Sequence, residues 1–168
     1  MALQTKVLEI SRSQLIQAPP ARVMAAFFND ADLKNWWQVT RAFTVPRPLG
    51  IYAIEWASTE FKDEVLGRLG GAVHGTIVDY RPNAAFVLAD VFWQPPDGDP
   101  LGPMALDVRA RPHGNGRQTM LTVRQSGEGD EPRWQRYFQI MGRGWDGALQ
   151  ALKEFMDHEA QRTRRDDD

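Results

Sequence analysis

The stretch from Pro132 to His158, PRWQRYFQIMGRGWDGALQALKEFMDH, decides the fold. Its apolar residues recur at intervals of three and four, which predicts a single amphipathic helix on the order of 40 Å long. Asp130 is the expected N-cap, and Pro132 suits the first turn. The apolar face is broad: it comprises Trp134, Phe138, Met141, Trp145, Leu149, Leu152 and Met156, widened by Tyr137, Ile140, Ala148 and Phe155.

The chain before this helix consists mainly of β-strand patterns. The strand-like segments are residues 6–17, 41–45, 51–56, 72–80, 85–93, 104–111 and 118–125, and apolar and polar residues alternate cleanly over 104–111. After the first strand, two short helices are predicted over residues 21–28 and 31–35, with Asp30 as the cap of the second. Trp36 and Trp37 follow this second helix and are expected to point in opposite directions.

Two segments do not fit a regular element. Residues 57–71 are charged and contain several glycines, which indicates an irregular excursion. Residues 94–103 include four prolines, so we expect a wide surface loop outside the sheet. Long loops in compact domains are usually functional, and we expect this loop to border the mouth of any cavity.

These elements predict an α+β fold. A curved antiparallel sheet of about six to seven strands would wrap around the long C-terminal helix, with the two short helices after the first strand. We expect residues 1–158 to form a single domain. Residues 159–168 carry mixed charge and no apolar face, which predicts a solvated, disordered tail.

Composition narrows the function classes. The formal charge of −2 does not favour nucleic acid as a partner. The chain has no cysteine and three scattered histidines, so we expect no disulfide, no metal site and no cofactor. The first residues lack a signal-peptide pattern and no apolar run is long enough for a membrane helix, so we expect a cytoplasmic protein with no membrane insertion.

No catalytic constellation is recognisable in the sequence. His74 is a candidate polar anchor or general base, but its partner carboxylate would have to come from another strand, Asp90 for instance. The motifs HExxH, GxSxG and GxGxxG are absent. We therefore assign no catalytic residue, and a non-enzyme is favoured.

An ordered set of residues carries a family resemblance. The set is APPARV at 18–23, Asn29-Asp30, Trp36-Trp37, Gly71, GTIVD at 75–79, Pro82, and Gly144-Trp145-Asp146 with Leu149 and Leu152. Over about residues 6–158 the chain resembles the homologues of the activator of the heat-shock-protein-90 ATPase, a family of the START/SRPBCC superfamily that is linked to stress response. The resemblance implies a helix-grip fold with a mainly apolar cavity between sheet and helix, used in the superfamily for lipids, sterols, polyketides or aromatics.

Eleven residues are candidates for contact with a ligand in such a cavity, because large flat rings and flexible methionines suit variable apolar molecules. They are Trp37, Phe43, Tyr52, Trp56, His74, Phe92, Trp93, Met104, Phe138, Met141 and Trp145. The leading hypothesis is binding of a small hydrophobic or aromatic molecule. The alternatives are an enzyme acting on a polyketide-like or aromatic substrate (cyclase, dehydratase or hydrolase) and a chaperone-linked protein-interaction module. The sequence leaves a homodimer open.

Overall fold

The computed structural model describes residues 6–167. The strands are β1 (Val7–Ile16), β2 (Arg41–Thr44), β3 (Ile51–Trp56), β4 (Lys62–Asp63), β5 (Gly67–Arg68), β6 (Gly71–Arg81), β7 (Ala85–Gln94), β8 (Leu101–His113) and β9 (Gln118–Glu128). The helices are α1 (Pro20–Ala25), α2 (Asp30–Trp36) and α3 (Pro132–Asp166).

The predicted α+β helix-grip fold is confirmed. Seven strands form an antiparallel sheet in the order β1-β9-β8-β7-β6-β3-β2, and β4 and β5 form a separate small hairpin. The register shifts where β7 pairs with β6 and with β8. Such irregularities bend a sheet and increase its twist, which helps one face to close around a helix.

The long helix covers the inner face of this sheet unevenly. In its C-terminal half, Leu149, Leu152 and Met156 are fully buried and belong to the core. In its N-terminal half, Ile140 and Met141 are only partly buried. The aromatic residues Trp134, Tyr137, Phe138 and Trp145 of that half are buried as well, so the weaker burial is confined to the turn of Ile140 and Met141.

The N-caps of α2 and α3 each differ by one residue from the predicted position. The N-cap of α2 is Asn29, whose side chain accepts a hydrogen bond from the Asp32 N–H at 3.0 Å, while Asp30 is the first helical residue. The N-cap of α3 is Glu131, not Asp130, and it makes no side-chain capping bond. Pro132 explains the second shift, since proline occupies the first helical position and keeps the preceding residue extended.

The prediction of a disordered tail is wrong for residues 159–166, because α3 continues through Asp166. The reason is a contact distant in sequence. Arg22 of α1 donates two hydrogen bonds to Glu159, of 2.9 and 3.0 Å, and two to Asp32 of α2, of 2.6 and 2.9 Å. Its guanidinium also lies 5.6 Å from the centre of the Phe155 ring. One arginine thus ties the end of α3 to both short helices, and the neighbouring carboxylates raise its pKa.

The two irregular segments are more ordered than predicted. The 57–71 excursion contains the β4–β5 hairpin. The loop of residues 94–103 is shorter than expected, since β8 already begins at Leu101 and includes Pro103. Pro103 fits because it lies where the pairing of β7 with β8 is irregular and before β8 begins to pair with β9 at Met104, so its missing N–H interrupts no regular ladder.

We predict that Glu159→Gln lowers the thermal unfolding temperature by about 2–4 °C. A partly exposed ion pair contributes up to about 1 kcal/mol, and about 1 kcal/mol shifts the unfolding temperature of a domain of this size by about 2–4 °C. The matched control is Glu154→Gln on the same helix, where the carboxylate contacts only Gln150. Equal unfolding temperatures for Glu159→Gln and wild type would show that this contact does not hold the end of the helix.

Candidate functional site

A cavity of about 330 Å³ lies between the sheet and the N-terminal half of α3. Five strands supply its floor: β3, β6, β7, β8 and β9. Residues 57–70, here named the covering segment, supply another wall. The lining residues are Trp37, Tyr52, Ile54, Trp56, Ala57, Thr59, Leu66, Leu69, Gly70, Val73, Leu88, Val91, Trp93, Leu106, Gln125, Tyr137, Ile140, Met141, Gly144 and Trp145.

Aromatic rings in mutual contact form much of the wall. The Trp37 ring lies 5.1 Å from that of Trp56 in an edge-to-face arrangement and 5.2 Å from that of Trp145. The Trp93 ring lies 5.1 Å from that of Tyr137. Contacts at these distances are favourable beyond simple burial, so the rings hold one another in place around the space.

Hydrogen bonds fix the indoles in this wall. Trp56 Nε1–H donates to the Trp37 carbonyl at 3.0 Å, and Trp93 Nε1–H donates to the Gly70 carbonyl at 2.8 Å. Because both acceptors are backbone oxygens, these two side chains are anchored to loops that border the cavity. The wall is therefore preformed.

Six of the eleven predicted residues line the cavity, and five lie elsewhere. Met104 and Phe138 are buried beside it, and Met104 Sδ lies 3.5 Å from Gln125 Nε2. The other three do not line it: Phe43, which is 61% exposed, His74 and Phe92. The six lining residues are Trp37, Tyr52, Trp56, Trp93, Met141 and Trp145.

Strand register explains why three candidates face away. Phe43 pairs with Ala53, Ala53 with His74, and His74 with Phe92, so all share one face of the sheet. That face is the outer one, since the neighbouring Tyr52 and Ile54 point inward and are buried. The His74 and Phe92 rings are stacked on it with their centres 6.0 Å apart.

The expectation that Trp36 and Trp37 point in opposite directions is wrong. Their rings are stacked at 4.8 Å with an interplanar angle of 10°. The divergence would require an extended backbone, whereas Trp36 ends α2 and Trp37 is its C-cap. Trp36 is buried, with its Nε1–H donating to the Ala26 carbonyl at 2.9 Å, and Trp37 forms the cavity side of the stack.

Sequence reasoning missed a polar group in the cavity wall. Gln125 of β9 is only 4% exposed, and its Oε1 accepts a hydrogen bond from Trp145 Nε1–H at 2.9 Å. Its Nε2 lies 3.5 Å from the Tyr137 hydroxyl. The available signal was alternation: Leu121 and Val123 point inward, so Gln125 puts an amide where the pattern calls for an apolar residue.

The cavity lining contains no carboxylate, imidazole, ammonium or guanidinium group among residues 6–167. Its ionisable side chains are Tyr52 and Tyr137. Burial raises the pKa of both; for Tyr137 the value is about 12. Both phenols therefore stay neutral at physiological pH, and the cavity offers an apolar, uncharged environment. No cluster of potential metal ligands occurs in this described range either, nor is any helix within it long and apolar enough to cross a bilayer.

Two salt bridges hold the covering segment. Asp63 accepts hydrogen bonds from Arg136 of α3, of 2.6 and 2.9 Å, and from the N–H groups of Val65 and Leu66. Arg68 pairs with Asp97 at 3.0 Å. Asp97 belongs to the proline-rich loop, which we expected at the cavity mouth. No residue of that loop lines the cavity, and the loop instead supports the covering segment through this pair.

A bent antiparallel sheet gripping a long helix around an apolar cavity defines a helix-grip protein of the START/SRPBCC type. Residues 17–157 match the family described as Activator of Hsp90 ATPase homolog 1-like protein. The chain therefore belongs to this family, and the family predicted from the sequence is confirmed. A comparison with curated proteins finds no significant match.

Solved structures agree with this fold. An uncharacterised protein from Rhizobium leguminosarum superposes with a TM-score of 0.65 at 17% identity, covering 92% of this chain and 97% of its own. CalU16 from Micromonospora echinospora has a TM-score of 0.60 at 16% identity, with coverages of 99% and 93%. The Aha1 dimer from Colwellia psychrerythraea gives 0.58 at 15% identity, with coverages of 89% and 96%. These identities show a common fold.

We predict that the salt bridge of Asp63 makes stability depend on acid pH. Hydrogen bonds from Arg136, above all, lower the pKa of the Asp63 carboxyl to about 2, against about 3.9 when unfolded. The stabilisation is thus fully present above about pH 5 and is lost as the pH falls towards 2. The free energy of unfolding, measured for wild type and Asp63→Asn from pH 7 to pH 2, should differ most at neutral pH and converge in acid.

The control for this series is Glu60→Gln in the same covering segment, since the Glu60 side chain is exposed and forms no salt bridge with any of residues 6–167. Its stability should run parallel to that of wild type across the pH range. A constant difference between Asp63→Asn and wild type down to pH 2 would contradict the assignment.

Proposed function

We propose that this protein binds a small apolar or aromatic molecule in the cavity between the sheet and α3. The observation that carries the proposal is the cavity itself, about 330 Å³ of space walled by four tryptophans and bordered by aliphatic side chains. Small-molecule sites are typically concave and mostly apolar, with volumes of roughly 300–1,000 Å³. An interior space of this size is a site at which a ligand would gain dispersion contacts that the protein alone leaves unmade.

The cavity opens to solvent, which supports its interpretation as a binding site and not as a packing defect. Gly144 lines the cavity and is also exposed to solvent, so this point of α3 lies at an opening. Glycine costs roughly 1 kcal/mol relative to alanine inside a helix. A side chain at this position would lean towards the preceding turn, where Ile140 and Met141 line the cavity. The absence of a side chain at residue 144 therefore keeps the opening wide.

Binding is favoured over catalysis by the chemistry of the wall. General acid–base chemistry at neutral pH needs a group whose pKa lies near the working pH. The lining phenols have pKa values far above that range, and His74 faces the opposite side of the sheet. The cavity thus supplies shape, apolar surface and a few neutral polar groups, which are the requirements for holding a molecule.

We predict that a ligand of the right class stabilises the protein by about 5–10 °C. At 100 times its dissociation constant a ligand contributes about 2.7 kcal/mol, and each kcal/mol corresponds to about 2–4 °C in a domain of this size. A thermal-shift screen with fatty acids, sterols, flavonoids and aromatic ketones measures this directly. No shift with any class would contradict the proposal and direct attention to protein partners.

Gly144→Leu should weaken binding of any molecule found in that screen at least tenfold, because the leucine would occupy the opening. The control is Gly147→Leu on the same helix, where an added Cβ has no neighbour within 4 Å beyond the adjoining helix backbone. Gly147→Leu removes a helix glycine where an added Cβ has room, so it should raise the unfolding temperature without ligand. At Gly144 an added Cβ comes to 3.0 Å from Met141 Cε, so this side chain must shift and the gain should be smaller. Equal affinities for the two variants would place the binding site elsewhere.

A second proposal concerns the outer face of the sheet at its β2 edge. Phe43, Ile51 and Val78 are 61%, 51% and 50% exposed there, on three neighbouring strands. We infer that a second copy of the chain covers this apolar surface, and the relative from Colwellia described as a dimer supports that occupant. Exposed apolar patches of this kind commonly mark protein contacts.

We predict that wild type sediments as a dimer at micromolar concentration and that Phe43→Lys shifts it to monomer. Phe61→Lys is the control, since Phe61 is equally exposed but lies in the covering segment. A monomeric wild type, or a dimer that persists in Phe43→Lys, would contradict this surface as the interface.

A further inference from the structure

The cavity is mainly apolar, and at one corner an amide and a phenol meet. Gln125 reaches this corner from β9 and Tyr137 from α3, and both side chains line the cavity. Both are buried, at 4% and 3% exposure. An inward glutamine costs desolvation that a leucine at the same position would avoid. Exceptions to the rule that inward-facing strand positions are apolar are expected mainly at functional sites.

The orientation of the Gln125 amide follows from Trp145. An indole N–H is only a donor, so the 2.9 Å contact with Trp145 Nε1 must be made by the carbonyl oxygen of Gln125. The amide nitrogen consequently faces Tyr137 and Met104, at 3.5 Å from the hydroxyl and from the sulfur. The distance to the hydroxyl is at the long limit for a hydrogen bond, and a thioether sulfur is a weak acceptor, so the two N–H donors of Gln125 are weakly used.

The Tyr137 hydroxyl has unused capacity as well. It accepts the long contact from Gln125, and within residues 6–167 its own O–H donates to no acceptor. Tyr52 provides a contrast in the same cavity, since its hydroxyl donates to the Phe27 carbonyl at 2.7 Å. A buried phenol normally finds a partner for its proton.

We propose that Tyr137 and Gln125 form a polar anchor that donates hydrogen bonds to one uncharged oxygen of the bound molecule, such as the carbonyl of an aromatic ketone. The inference rests on the proposed binding function and specifies its ligand class. A ketone oxygen has two lone pairs and can accept from the phenol and the amide together. The tryptophans around the anchor would contact the rest of an aromatic skeleton.

Charge excludes the anionic alternatives. A carboxylate moved into this cavity would lose its hydration, and no cationic side chain lines the wall to replace it. A pure hydrocarbon would accept no hydrogen bond from the Tyr137 hydroxyl or the Gln125 amide, so it would gain nothing from this polar corner. The ligand class is therefore a neutral, largely aromatic molecule with a single accepting oxygen, distinct from a fatty acid.

Three probes with one tricyclic skeleton test the anchor: 9-fluorenone carries the ketone, fluorene lacks it, and fluorene-9-carboxylate carries a charge. Dissociation constants are measured by tryptophan fluorescence for wild type, Tyr137→Phe and the control Tyr80→Phe, whose tyrosine does not line the cavity. The fluorenone-to-fluorene affinity ratio should be about three- to tenfold higher in wild type than in Tyr137→Phe, and Tyr80→Phe should keep the wild-type ratio. Comparing ratios cancels the difference in hydrophobicity between the two molecules.

Each outcome is decisive. If fluorene and fluorenone bind wild type and Tyr137→Phe leaves their ratio unaltered, the anchor is overturned while the apolar binding function stands. Tighter binding of the carboxylate than of the ketone overturns the neutral ligand class. If none of the three probes binds to wild type, the aromatic-ketone ligand class is overturned, whereas the proposed binding function is decided separately by the thermal-shift screen.

Discussion

A single helix has to cover the inner face of a seven-stranded sheet, and this geometric constraint determines the rest of the structure. The C-terminal half of α3 meets the requirement by close packing, with Leu149 and Leu152 buried in the core. Its N-terminal half does not reach close packing, and the space left between it and five strands is the cavity. Protein interiors normally pack to crystal density, so an opening of this size needs support from its surroundings.

That support comes from aromatic rings in the cavity wall and from the salt bridges of the covering segment. Trp37 packs against Trp56 and Trp145, so residues from α2, β3 and α3 meet around the space. The covering segment is tied to α3 through Asp63 and Arg136. The cavity is therefore held open by elements whose mutual contacts do not depend on a ligand, which lowers the cost of ordering the site when a molecule enters.

Periodicity predicted the elements well because it reflects which face of an element is buried. The broad apolar face of α3 and the inward positions of Tyr52 and Trp56 on β3 followed from it directly. The alternation of side chains between the two faces of a strand was not applied to every candidate cavity residue. Phe43, His74 and Phe92 were grouped with the cavity residues by type, yet strand register puts them on the outer face.

Contacts between residues distant in sequence account for most of the remaining differences. The tail of α3 looks solvated in isolation, yet Glu159 within it pairs with Arg22, 137 positions away. Likewise, the role of Gln125 in the cavity wall becomes visible only through its contacts with Trp145 and Tyr137 of α3. Local patterns contain no information on such partners, so the fold was largely predictable and the polar corner of the site was not.

We infer that the cavity is open and binds a neutral aromatic molecule whose oxygen accepts hydrogen bonds from Tyr137 and Gln125. A crystal structure of the protein soaked with 2-bromofluorenone tests this most directly, because anomalous scattering locates the bromine without bias. We expect a bromine peak inside the cavity, with the ketone oxygen within hydrogen-bonding distance of Tyr137 Oη. A bromine peak only on the outer surface, or side chains collapsed into the space, would contradict it.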